Sequence, residues 1–168
     1  MKRKFVIAGL VSFLLLFSFS GSPILAADNS TITVTDARGE TVDFESPPDR
    51  IISFMPSNTE ILFYLGAGDK VVGVDDFSDY PDEAKDLPKV GNAFSVNYEK
   101  IVNLSADVVV VPAFNTQMIQ TLKDYDQKVV AAGSTTVSDI YSDMKLLGKI
   151  CGIEEEAQNK AEDLRDKM

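Results

Sequence analysis

Apolar and polar positions alternate over Ile32–Thr35 and again over Thr41–Phe44, the period of a strand with one covered face. Asp36-Ala37-Arg38-Gly39 lies between them and supplies turn residues, so the two runs predict a small hairpin. Ser46-Pro47-Pro48-Asp49 then breaks the chain. From Arg50 the pattern changes to short β-rich runs separated by helical segments. Residues 51–54 predict a buried strand that Met55-Pro56 ends. Ser57-Asn58-Thr59-Glu60 reads as a capping box, in which the Ser57 hydroxyl accepts from a free amide while Glu60 reaches back. A helix over 59–65 should follow and stop at Gly66 and Gly68. Val71–Val74 predicts the next strand, and 75–86 an acidic loop with aromatics in which Pro81 opens one helical turn.

Further on, Asn97 is placed to cap a helix running through Leu104, with Ile101 and Leu104 on one face. Residues 107–111 end in a run of valines without alternation, the mark of a strand covered on both faces, as in parallel sheets. Helix is predicted over 117–125, strand over 128–131 and helix over 138–150, with Gly152 as the stop. From Glu154, apolar Ala157, Ala161, Leu164 and Met168 recur at helical spacing as one stripe. Strands alternating with helices predict an α/β fold, a parallel-sheet Rossmann-like lobe. The stripe is still running at residue 168, so this helix either crosses the whole sheet or leads into something longer.

Residues 1–27 read as a cleavable signal peptide. Lys2-Arg3-Lys4 precedes an apolar run over 5–19, and Gly21, Pro23 and Ala26-Ala27 follow. The run falls short of the roughly 20 residues of a membrane span, although an uncleaved anchor stays open. No cysteine follows the small residues, so no lipoprotein attachment is expected and the mature protein should be extracytoplasmic, in a periplasm or at the cell surface. The expected organisation is signal 1–27, hairpin extension 28–49, α/β ligand-binding lobe 50–152 and the start of a further helix over 153–168.

Composition narrows the chemistry. The net charge is −10 with no histidine and one cysteine, Cys151. A basic nucleic-acid footprint is excluded, as are histidine general bases, histidine metal sites and an internal disulfide. Gly66-Ala67-Gly68 follows a predicted helix and precedes a strand, the reverse of what a dinucleotide fingerprint needs. Asp75, Asp76 and Asp79 miss the spacing of an EF-hand calcium loop.

In an open parallel sheet, ligands bind beyond the carboxyl ends of the strands. Those ends lead into residues 55–58, 75–80, 112–116 and 133–136, with 91–96 placed to join them. These loops offer Phe77, Tyr80, Phe94, Phe114 and Asn58 but no Lys or Arg. Such walls suit a large neutral or cationic ligand with apolar faces better than a polyanion. Each aromatic can equally pack within its own loop. Glu99 either complements a helix dipole or is displayed to a basic partner.

Residues 50–62, RIISFMPSNTEIL, resemble the opening strand and helix of the cobalamin and iron-siderophore class of ABC-transporter substrate-binding proteins. Val72-Gly73-Val74 with Phe77-Ser78-Asp79-Tyr80-Pro81 is similar to that family's second strand and loop, especially in its cobalamin binders. Val90-Gly91, residues 97–102 and residues 104–110 continue in the same order. The resemblance runs from about residue 50 to 168, the family's N-terminal lobe. It implies a second lobe absent from this sequence, a connecting helix from Glu154, and a truncated product or fragment whose ligand would lie between two lobes. It further implies that Phe77 stands where a corrin-contacting tyrosine stands in the cobalamin binder, and that Glu99 matches a glutamate that docks on permease arginines. Two tryptophans of the cobalamin site have no counterpart, Ala93 or Phe94 and Pro112 falling near their places.

The expectation is therefore no enzyme and no covalent cofactor. A monomeric solute-binding protein should carry a cobalamin-like corrinoid, or alternatively a ferric siderophore or haem, to an ABC permease dimer. The lone lobe should bind weakly. Two rivals remain: a surface interaction module of the same fold without a small ligand, and an exported hydrolase using Asp or Ser57, disfavoured because the chain lacks histidine and Ser57 has a capping role.

Overall fold

The computed structural model describes residues 31–133 and 136–167; the expected signal segment over 1–27 lies outside them, as does Met168. Strands β1 (Ile32–Thr35) and β2 (Thr41–Phe44) pair antiparallel, with Ile32 opposite Phe44 and Thr35 opposite Thr41. This is the hairpin that the alternation predicts. Its turn is organised by Asp36, whose carboxylate accepts from the amides of Arg38 at 2.8 Å, Glu40 at 2.9 Å and Ala131 at 3.1 Å. The bond to Ala131, with Ala37 N donating to Ala131 O at 2.9 Å, docks the hairpin on the main sheet and buries Val34 and Phe44 in the core.

The remaining elements are β3 (Ile51–Ser53), α1 (Pro56–Leu65), β4 (Val71–Val74), the short β5 (Gly91–Asn92) and β6 (Ser95–Val96), α2 (Tyr98–Asn103), β7 (Val108–Pro112), α3 (Thr116–Asp124), β8 (Val129–Ala132), α4 (Val137–Ile150) and α5 (Glu154–Asp166). Strands β4, β3, β7 and β8, in that spatial order, form one parallel sheet. Side chains alternate across a strand, so Val108 and Val110 enter the core shared with Leu62 and Leu65 of α1, Met144 and Leu147 of α4 and Ala157 of α5. Val109 and Val111 enter the opposite core, with Ile101 of α2 and Met118, Ile119 and Leu122 of α3. Burial on both faces is why the run has no polar position.

Helix α1 departs from expectation at its start. It begins at Pro56 with Met55 as N-cap and no side-chain cap, so the capping box over 57–60 does not form. Proline suits the first helical turn because its φ is preset and it has no amide to satisfy there. Ser57 consequently sits inside the helix with its Oγ buried and unpartnered and has no capping role. The predicted stop is present: Gly66 adopts φ 88°, and the Gly66 and Ala67 amides return to Phe63 O at 3.0 Å and Leu62 O at 2.8 Å. A capping box does form at α4, between Thr136 and Asp139. Asn97 caps α2 as expected, its Oδ1 accepting from Lys100 N at 2.9 Å.

Helix α5 lies close on α4. A Cβ at Gly148 would come within 2.1 Å of the Ala157 Cβ, so a glycine on one helix and an alanine on the other set their separation. Lys160 of α5 donates to Tyr64 O at 3.0 Å and ties the helix to α1. Burial pushes the neighbouring Cys151 thiol up to about 11, with Lys70 opposing the shift, which favours the protonated thiol near neutrality.

Candidate functional site

The chain leaves β3 for β4 on one side and returns to its other side as β7. The carboxyl ends of β3 and β7 therefore flank a topological switch point, where open α/β sheets form a crevice. Loops from three elements meet beside it. Asp76 N donates to Gly91 O at 2.8 Å, Asn92 Nδ2 to Asp76 Oδ2 at 2.9 Å, and Asn115 Nδ2 to Ala93 O at 2.7 Å. These bonds join the segment after β4, which carries Phe77 and Tyr80, to the β5–β6 turn with Phe94 and the β7–α3 loop with Phe114.

All four rings face solvent. Phe77 is 65% exposed, Tyr80 66%, Phe94 96% and Phe114 69%. Among the described residues Phe77, Phe94 and Phe114 are the strongly exposed phenylalanines and Tyr80 is the most exposed tyrosine, and their place on bonded loops differs from apolar residues scattered singly over a surface.

The loop holding Phe77 is fastened from below. Asp75 is 3% exposed; its carboxylate accepts from Phe77 N at 3.1 Å and, in a short contact, from Ser78 Oγ. Thr59 Oγ1 lies 2.9 Å from both the Ser53 and Ser78 hydroxyl oxygens. Lys89 Nζ donates to Ser78 O at 2.5 Å and Ala84 O at 3.2 Å. Strand β3, helix α1 and the loop thus share one buried polar network. Asp75 and Asp76 are engaged in these contacts, and no cluster of three or more metal-ligating acids or cysteines occurs among the described residues.

Asn58 is not on this surface. It is fully buried, with both amide atoms unpartnered, because a helix starting at Pro56 turns position 58 inward with Thr59, Ile61 and Leu62. Glu99, the second residue of α2, is exposed and borders an open hollow of about 590 Å³ with Asp76, Lys89, Ser95 and Tyr98. A cleft of about 290 Å³, lined by Ser57, Ile61, Tyr64, Met144 and Leu164 and by Tyr80 of the ring set, lies where α1, α4 and α5 meet. Of residues 133–136, Ser134 and Thr135 lie outside the described residues.

The structure brings in one residue that sequence reading passed over. Arg38, at the hairpin tip, donates from Nη1 to Ala113 O at 2.9 Å and to Thr116 Oγ1 at 3.1 Å, on either side of Phe114. The loops contain no cation of their own, but the assembled rim does. The signal missed was the docking of the hairpin on β8, which joins residues 75 and 78 positions apart and leaves no mark on local spacing.

Among the described residues no helix is long and apolar enough to cross a membrane. An uncharacterized ABC transporter substrate-binding lipoprotein of Bacillus subtilis is 31% identical over 180 aligned positions, which cover 99% of this chain and 57% of the relative. The periplasmic vitamin B12 binding protein of Vibrio cholerae superposes with a TM-score of 0.66 at 31% identity, over 71% of this chain and 48% of that one. A periplasmic heme binding protein of Pseudomonas aeruginosa gives 0.66 at 26% identity, over 71% and 44%. The chain spans about half the length of these relatives. They are binding proteins, not enzymes, and the fold here is one lobe of that kind. A model of periplasmic binding proteins matches residues 51–168, and the chain belongs to that family.

Proposed function

We propose that this chain is the N-terminal lobe of an extracytoplasmic, monomeric solute-binding protein of an ABC importer. It receives a cobalamin-like corrinoid on Phe77, Tyr80, Phe94 and Phe114 and presents it to a permease dimer, with α5 as the start of the helix leading to a second lobe. The observation that carries this reading is the set of exposed rings on hydrogen-bonded loops beside the switch point. A flat macrocycle with apolar faces matches aromatic rings held on a rigid frame, and similarity to a vitamin B12 binding protein points the same way. The Bacillus relative is named a lipoprotein; the single cysteine here, Cys151, is buried at the end of α4, so lipid attachment is not part of the proposal. A second reading, haem or a ferric siderophore, is favoured by Arg38, because such ligands carry anionic groups that a guanidinium recognises.

The test is titration of the longest protein that the reading frame encodes with cyanocobalamin and with haem, followed by absorbance. Phe77→Ala should weaken cyanocobalamin binding about 10- to 150-fold, since a buried phenylalanine contact is worth about 1.5–3 kcal/mol. Binding of haem alone moves the reading to the second ligand class; failure of both ligands, with Phe77→Ala silent, sinks it. Glu99→Gln should leave affinity unchanged and lower uptake about tenfold through weaker charge-steered docking, measured as accumulation of labelled ligand in cells. Normal uptake by that variant removes Glu99 from the docking surface.

A further inference from the structure

We propose that Arg38 is a specificity-determining residue that takes a carboxylate or phosphate group on the rim of the ligand, an inference that rests on the ligand-binding reading above. Its two hydrogen bonds, to Ala113 O and Thr116 Oγ1, both leave from Nη1. Nε and Nη2 donate to nothing among the described residues. These two nitrogens form the side-on edge of the guanidinium, the fork that matches two oxygens of one carboxylate or phosphate.

The charge is also unneutralised. The acids nearest to Arg38 in the hairpin have other partners: Asp36 accepts three backbone amides and Glu40 pairs with Lys123. No salt bridge to Arg38 occurs among the described residues. The first turn of α3 adds further positive potential beside it. Its Nη1 ties the hairpin to the β7–α3 loop, while the charge itself has no counter-ion among the described residues and the free edge is suited to an anion arriving from outside.

Location and rigidity point to the ligand rather than to the permease. The two acceptors flank Phe114, a member of the aromatic set, whereas Glu99, the proposed docking group, calls for a basic partner that would repel Arg38. The anchoring bonds hold the guanidinium plane, and Asp36 holds the turn beneath it, so little side-chain freedom remains to be lost on binding. The shared ligand chemistry is an oxyanion at the edge of a flat macrocycle, either the phosphodiester of a corrinoid nucleotide loop or the propionates of haem.

Matched probes separate these sources. Cyanocobalamin carries the phosphodiester and dicyanocobinamide lacks it; haem carries two carboxylates and haem dimethyl ester none. The protein should bind the oxyanion-bearing member of one pair about tenfold or more tightly than the analogue without it, the value of one charge-assisted pair of hydrogen bonds. Arg38→Gln should reduce that ratio to near one, the analogue's affinity reporting any shift of the Phe114 loop on loss of the two anchoring bonds, and Arg38→Lys, which keeps charge without the fork, should restore only part of the ratio. A ratio of one in the unaltered protein, or a ratio that survives Arg38→Gln, overturns the proposal. If no macrocycle binds at all, the ligand-binding reading fails, and Arg38 is then judged by NMR of the 168-residue chain titrated with inorganic phosphate and with propionate. A shift of the Arg38 Nε–H and the Thr116 amide, with the Thr116 response absent in Arg38→Gln, preserves the anion site; no shift ends it.

Discussion

Replacing Asp75 with alanine should destabilise the protein by about 3 kcal/mol, the combined value of hydrogen bonds to a charged acceptor and the unsatisfied donors left behind. Ser78 Oγ and Phe77 N both lose their acceptor beneath a loop that is also fastened by Lys89, the Thr59 hydroxyl and the bonds of Asp76 to Gly91 and Asn92. Asp75→Asn keeps one acceptor oxygen and should lose about half as much. Urea melts of the three proteins give the stability order. Limited proteolysis should cut the alanine variant first within 75–80, and affinity for the macrocycle should fall with it because Phe77 and Tyr80 ride on that segment. A loss below about 1 kcal/mol for Asp75→Ala would mean that the network adjusts without its acid and that the loop is positioned by its backbone alone.

Gly148→Ala is expected to be destabilising although alanine is the better helix former. The propensity gain is about 1 kcal/mol. Against it, the new methyl would sit 2.1 Å from the Ala157 Cβ, and neither methyl has a rotamer to escape into. Reaching ordinary carbon–carbon contact near 3.6 Å requires α5 to back away by roughly 1.5 Å, at a cost of about 1–3 kcal/mol for overpacking. The clash outweighs the propensity, and Gly148→Val should exceed it again. Hydrogen exchange should show α5 amides losing protection before those of β7. The compensating pair Gly148→Ala with Ala157→Gly should recover most of the loss, because it restores one methyl between the helices; a pair no more stable than the single variant would show that strain resides elsewhere.

Elements whose signal is local were legible from residue order alone. The hairpin over Ile32–Thr35 and Thr41–Phe44, strand Val71–Val74, the Asn97 cap and the Gly66 stop all depend on neighbours within a few residues. The valine run pointed to a strand covered on both faces, and β7 is buried along its whole length. The start of α1 was misread because two local signals compete there: a Ser-to-Glu capping pattern and a proline one residue earlier. The strand of 51–53 delivers the chain into the helix at Pro56, and that choice buries Asn58 and Ser57 Oγ.

Charge at the rim of the candidate site was settled elsewhere. Counting residues in the loops gives an acidic, cation-free surface, and that count is correct for those loops. It omits Arg38 because the hairpin reaches the rim only through Asp36 and Ala37 bonding to Ala131. Periodicity, capping and burial are short-range properties written into consecutive residues, so fold class and most elements could be read in order. Which side chains share a surface depends on how the hairpin docks and on the β4-β3-β7-β8 strand order, contacts between segments tens of residues apart whose energies come from packing, and only the folded chain brings them together.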